Sequence, residues 1–144
     1  MRMIIDAMGG DNAPGEIVKG AAETVDLIEH EILLVGDEAR IRAELEKAEY
    51  DKSKIAVLHA PEVIQTDESP VKAVRRKTAS SLVMGLEALK NGEGDLFLSA
   101  GNSGAIMTGG IFVLGRIEGI DRPAICSAYP ILESGTSSIL VDSG

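Results

Sequence analysis

The residues with the clearest chemical potential are Ser99-Ala100-Gly101-Asn102-Ser103-Gly104-Ala105. Small side chains at Ser99, Gly101 and Gly104 let a ligand approach the backbone, and the free N–H groups of a starting helix attract an anion. Asn102 and Ser103 add side-chain donors. A second reading stands beside this one: a tight strand-to-helix connection that needs small residues for packing alone. The segment lacks the Gly-Lys-Ser/Thr ending of a P-loop and the three-glycine spacing of a dinucleotide fingerprint.

Asp6-Ala7-Met8-Gly9-Gly10-Asp11-Asn12-Ala13-Pro14 is the next candidate. Asp6, Gly9, Gly10 and Asp11 either orient a ligand or form a turn that caps a helix. Lys72, Arg75 and Arg76 fall at i, i+3 and i+4, which gathers three cations on one helix face, with Lys77 following. Such a face either meets an anion or is solvated. Gly115 to Ala124 carries Arg116 and Arg122, which reach an anion or, as the spacing favours, serve the helix end. His30 and His59 stand without partners at zinc-ligand spacing. Cys126 is expected to be buried in a strand, and no Gly-x-Ser-x-Gly elbow of a serine hydrolase occurs.

These segments need elements to hold them. Arg2 to Asp6 reads as a strand, and Pro14 suits the first turn of a helix running to about Ile28, with Ile17, Ala21, Val25 and Ile28 on one face. Ile32 to Val35 is a strand, and Asp37 caps a helix to about Ala48. Lys54 to Leu58 is a strand. Ser69-Pro70 opens a helical stretch, broken near Lys77, that ends at Asn91-Gly92. Asp95 to Ser99 is a strand, and a helix spans Asn102 to Arg116. Ala124 to Ala128 and Ser138 to Val141 complete the strands. The alternation predicts one α/β domain over residues 1–144, three α/β/α layers around a largely parallel sheet. Ligands of such sheets bind at the carboxyl ends of strands, which directs attention to the residues after Asp6, Ser99 and Val141.

Composition narrows the classes. The 144 residues carry a net charge of −9, which argues against sequence-independent nucleic-acid binding. Hydrophobic residues make up 44%, too many for a disordered chain. No apolar run is long enough to span a membrane, and the N-terminus lacks the pattern of a signal peptide. A single Cys, Cys126, fits a reducing compartment.

Taken together, Asp6 to Pro14, the basic stretch with Lys77 and Ser80-Ser81, Ser99 to Ala105, and Gly115 to Ala124 resemble the bacterial phosphate acyltransferase family. The likeness runs from Met3 through Gly144, with Ser103 where the family more often has Thr. It implies a fold like that of isocitrate and isopropylmalate dehydrogenases and of phosphotransacetylases. It also implies a homodimeric cytoplasmic enzyme, peripherally associated with the membrane. The implied reaction converts acyl-[acyl carrier protein] and inorganic phosphate to acyl phosphate and free carrier protein, for a downstream membrane glycerol-3-phosphate acyltransferase. No metal or cofactor is called for. Asn102 and Ser103 are the expected catalytic donors. Asp6, Gly9, Gly10, Asp11, Lys72, Arg75, Arg76, Lys77, Ser99, Gly101, Gly104, Arg116 and Arg122 are the expected phosphate- or substrate-binding residues. The basic cluster meets either phosphate or the acidic carrier protein. Family members are considerably longer, so the chain is expected to be the N-terminal part of a longer enzyme. An NAD-dependent decarboxylating dehydrogenase, echoed at Gly10 to Glu16, and a non-catalytic phosphate-ligand-binding module are the alternatives.

Overall fold

The apolar run after Arg2 becomes a strand with a neighbour on each edge, Ile4 buried on one face and Met3 and Ile5 partly buried on the other. The computed structural model describes residues 1–131 and 136–142. Four strands, β1 (Arg2–Asp6), β2 (Glu31–Gly36), β3 (Ile55–His59) and β4 (Leu96–Leu98), form a parallel sheet in the order β3-β2-β1-β4. Five α-helices accompany them among the described residues: α1 (Gly15–Val25), α2 (Glu38–Leu45), α3 (Pro70–Arg76), α4 (Ser81–Lys90) and α5 (Ser103–Gly109).

Alternation along β2 builds two cores. Ile32 and Leu34 face α1 and α2 through Val18, Val25, Ile41 and Leu45. Leu33 and Val35 face the other way, with Ile4 and with Ala88 of α4. A sheet covered on both faces requires near-continuous apolar strands, which β1 and β2 supply. A third cluster ties α3, α4 and α5 together through Val74, Leu82, Leu86 and Ala105.

The caps follow local chemistry. The Asp37 carboxylate accepts from the Arg40 amide at 3.1 Å at the start of α2, and Ser80 accepts from the Val83 amide at the start of α4. Past α4, the Gly92 amide donates to the Leu89 carbonyl and the Glu93 amide to the Ala88 carbonyl. This paired closure uses a glycine at φ +78°. The break at Lys77 is present, where the backbone leaves helical geometry between α3 and α4.

Several expectations need correction. Pro14 precedes α1 as its cap residue rather than opening it, and α1 stops at Val25, so Ile28 lies beyond its end. Its buried face is Val18, Ala21, Ala22 and Val25, while Ile17 is only half-buried. Helix α2 ends at Leu45, short of Ala48. The long helix ending at Arg116 is instead α5 continued by a π-helical turn, Gly110–Leu114. The last two strands do not extend the parallel sheet. β5 (Cys126–Ile131) and β6 (Thr136–Val141) pair with each other as a separate antiparallel ribbon. Val141 is therefore not the carboxyl end of a sheet strand of the β1 type, and Ser143-Gly144 lie outside the described residues. Cys126 is exposed on that ribbon rather than buried, because the ribbon carries no packed layer over it. Among the described residues, no helix is long and apolar enough to cross a membrane.

Candidate functional site

The strand order determines where a site belongs. From β1 the chain winds outward through β2 to β3, then returns across α3 and α4 to add β4 on the opposite side of β1. The winding direction reverses between β1 and β4, and a crevice opens at the carboxyl ends of the two strands flanking such a point. Asp6 closes β1 there, and Ser99 is the residue that follows β4.

Asp6 is only 2% exposed. One carboxylate oxygen accepts from the Met8 amide at 3.1 Å, and the other accepts from the Ser99 hydroxyl at 2.8 Å. The Ser99 oxygen in turn accepts from the Gly101 amide at 3.1 Å. Two loops separated by more than ninety residues are thus joined by one relay, Asp6 to Ser99 to Gly101. The contact depends on Gly9. A Cβ there would lie 2.6 Å from the Asp6 oxygen, 2.7 Å from the Ser99 oxygen and 3.0 Å from the Gly101 nitrogen. Gly10 follows at φ +108°, which L side chains rarely adopt, and turns the loop over Ala100. Asp11 is exposed beyond that turn. Beneath the crevice, on the α1 side, an apolar cleft of about 460 Å³ runs along Ile5, Ile17 and Leu98.

Asn102 is the N-cap of α5, and its side-chain oxygen accepts from the Ala105 amide at 3.0 Å. Its amide group donates to the carbonyls of Thr66 at 3.0 Å and Glu68 at 3.1 Å. Both amide hydrogens are therefore engaged, which makes Asn102 a positioning residue in this arrangement. It ties the loop before α3 to the start of α5. The Pro70 ring reinforces the tie by packing on Gly104, where a Cβ would meet it at 2.8 Å. The Ser103 side chain is exposed. The amides of Ser103 and Gly104 begin the helix, where geometry provides no intrahelical carbonyl for them.

The basic stretch divides. The Lys77 ammonium donates to the Val63 carbonyl at 2.7 Å and to the Glu68 carboxylate. It closes the same loop from below. Arg75 lies over the Phe112 ring at 5.1 Å. Lys72 and Arg76 remain exposed and line, with Lys77, a cavity of about 300 Å³. The Gln65 amide and then Lys77 hold the Glu68 carboxyl below the usual glutamate range. A depressed folded pKa stabilises the loop above the unfolded value, and that contribution is lost as pH falls through the folded one. Amide hydrogen exchange at Gln65 is expected to speed up relative to Ile41 as solution is acidified below the ordinary glutamate range. Equal protection across that range would remove Glu68 as the latch.

Arg116 and Arg122 follow the far end of the α5 rod, whose start at Ser103 faces the crevice. The Arg116 guanidinium donates to the Asp121 carbonyl at 2.8 Å, and Arg122 is exposed. His59 Nδ1 accepts from the Glu38 amide at 3.2 Å and so belongs to the start of α2. Sequence reasoning did not find the Thr66 and Glu68 carbonyls, because backbone acceptors leave no mark in residue types. The pairing of Asp6 with Ser99 had a signal: each is the polar residue that ends an apolar strand.

A family model described as "Fatty acid synthesis protein" matches residues 1–144. The chain is 49% identical over 145 residues to a phosphate acyltransferase of Acetivibrio thermocellus, covering 100% of the chain and 42% of the relative. It is 42% identical over 139 residues to one of Clostridioides difficile, covering 96% and 41% respectively. It is 46% identical over 144 residues to one of Herpetosiphon aurantiacus, covering 100% and 39%. The chain thus spans about two fifths of the length of the curated relatives it matches.

Proposed function

We propose, for a chain that belongs to the fatty acid synthesis protein family, that its crevice holds phosphate for acyl transfer from acyl-[acyl carrier protein]. The observation that carries this reading is the relay of Asp6, Ser99 and Gly101 at the point where the sheet reverses, locked by Gly9. Names of relatives as phosphate acyltransferases support it.

Phosphate is strongly hydrated and attacks a thioester poorly in water. Holding it against the carbonyl removes part of that barrier, up to about 7–11 kcal/mol in the best cases. In the proposed step a phosphate oxygen attacks the thioester carbon. The tetrahedral oxyanion collapses, the carbon–sulfur bond breaks, and the carrier thiolate takes the proton that phosphate loses. Acyl phosphate and free carrier protein result. Asp6 acts through Ser99 and the Gly101 amide, fixing the loop whose backbone faces the anion. The Ser103 hydroxyl and the amides of Ser103 and Gly104 are the proposed donors to phosphate or oxyanion. Asn102 holds that turn in place. The exposed Lys72 and Arg76 attract an anion, either phosphate or an acidic carrier protein. We place the protein in the fold group of isocitrate and isopropylmalate dehydrogenases and phosphotransacetylases. It acts as a cytoplasmic homodimer associated peripherally with membrane and passes product to a membrane glycerol-3-phosphate acyltransferase.

The test uses the polypeptide as its gene encodes it. Incubation with a long-chain acyl carrier protein and phosphate should yield acyl phosphate, trapped as a hydroxamate, only when phosphate is present. Asn102→Ala should lower the rate at least about tenfold, equivalent to about 1.4 kcal/mol. It should also lose about 1 kcal/mol of stability as a cap. No acyl phosphate from the wild type would overturn the reading. An acyl-enzyme trapped from labelled thioester would overturn direct attack by phosphate.

A further inference from the structure

Helix α5 and its π-helical continuation form one rod that starts at the crevice and runs away from it. Counting from Ser103, the residues at i+4, i+7, i+8 and i+11 are Met107, Gly110, Ile111 and Leu114, the spacing of one helical face. All four line an apolar cavity of about 530 Å³. Ile120 and Val141 are among the residues that close it from the side of the β5–β6 ribbon, and Arg116 and Arg122 also line it. Its size and apolar lining suit a small-molecule site. Gly110 contributes no side chain, and a Cβ built there meets nothing within 4 Å, so the wall is open at its midpoint.

We propose that this cavity receives the acyl chain of the substrate, while the reacting carbonyl lies at the crevice. The inference rests on the acyltransferase reading above. Continuity is the main argument, because the face that presents Ser103 at the crevice presents Met107 about 6 Å further along the axis. A chain attached at the carbonyl therefore passes directly onto this wall, and each methylene that leaves water favours its binding. The cleft under Asp6 is the competing location. It borders Leu98 on the free edge of β4, a surface that parallel sheets normally cover with further protein.

The experiment compares the encoded wild-type polypeptide with Gly110→Leu. A Cβ at Gly110 meets nothing within 4 Å and Gly110 lines the cavity, so leucine there is expected to narrow it. The ratio of kcat/KM for a hexadecanoyl carrier protein to that for a butanoyl carrier protein should fall at least about tenfold, through KM for the long donor. A hexadecanoyl donor carrying a diazirine on its chain should label the peptide from Met107 to Leu114 after illumination. This second readout needs no variant. An unchanged ratio, or label on Ile17 or Leu98 instead, would overturn the inference while leaving the acyltransferase reading intact. Failure of wild type to form acyl phosphate from either donor would overturn both.

Discussion

Gly9→Ala is expected to lower kcat/KM for phosphate by at least about 100-fold, equivalent to about 2.7 kcal/mol in transition-state free energy. The new methyl would need the space now held by the Asp6 carboxylate, the Ser99 hydroxyl and the Gly101 amide. None of these is the free end of a flexible chain. Asp6 is buried, Ser99 is held at both ends of its hydroxyl bonding, and Gly101 is backbone. The two loops must separate, and the Ser103 and Gly104 amides, the proposed anion donors, move with them. Overpacking of this kind costs roughly 1–3 kcal/mol in stability. Gly15→Ala provides the control, since its Cβ meets nothing within 4 Å. Wild-type kcat/KM for phosphate, with an unchanged urea midpoint in Gly9→Ala, would show that loop contact is irrelevant to activity.

Asp6→Ala is expected to destabilise the protein by about 2–3 kcal/mol, more than any exposed substitution in the same loop. Removing the carboxylate leaves the buried Met8 amide without its acceptor and frees the Ser99 hydroxyl. An unmet buried donor costs about 1–3 kcal/mol. Asp6→Asn separates charge from shape. It keeps an oxygen for Met8 but turns a donor toward Ser99, whose oxygen already accepts from Gly101. Its loss should therefore be smaller, about 1 kcal/mol, with activity reduced through the displaced Gly101 amide. Urea denaturation monitored by circular dichroism, beside kcat/KM, resolves the three proteins. Equal stability of wild type and Asp6→Ala would remove Asp6 as the hub.

Much of this architecture was legible in the residues. β1 through β4 follow apolar runs with polar ends. The cap Asp37 and the stop at Asn91-Gly92 follow from local hydrogen bonding, which acts over a few positions. Long-range geometry was less accessible. Only four residues separate β5 from β6, too few for a parallel crossover, so the self-paired ribbon had a signal in the spacing that reading each strand singly does not use. The π-helical turn beginning at Gly110 has the composition of ordinary helix. At the site, Asn102 read as a donor to ligand because its residue type offers donors. Its real partners, Thr66 and Glu68, are carbonyls that any residue would provide. Lys77 was grouped with its basic neighbours by spacing, yet it faces Glu68 across a loop, while Arg75 found Phe112 from another helix.

The hydrogen bond from Ser99 to Asp6 also has a temporal meaning. Its two ends are 93 positions apart, and β1 lies between strands made early and late. At synthesis rates of about 5–20 residues per second, the wait between them is on the order of 5–20 s. During that interval β1 pairs with β2 on one side and keeps its other edge open. An unpaired apolar edge is a template for misassociation. The nascent chain is therefore most vulnerable before Ser99 arrives, and the bond that closes the crevice also ends that exposure.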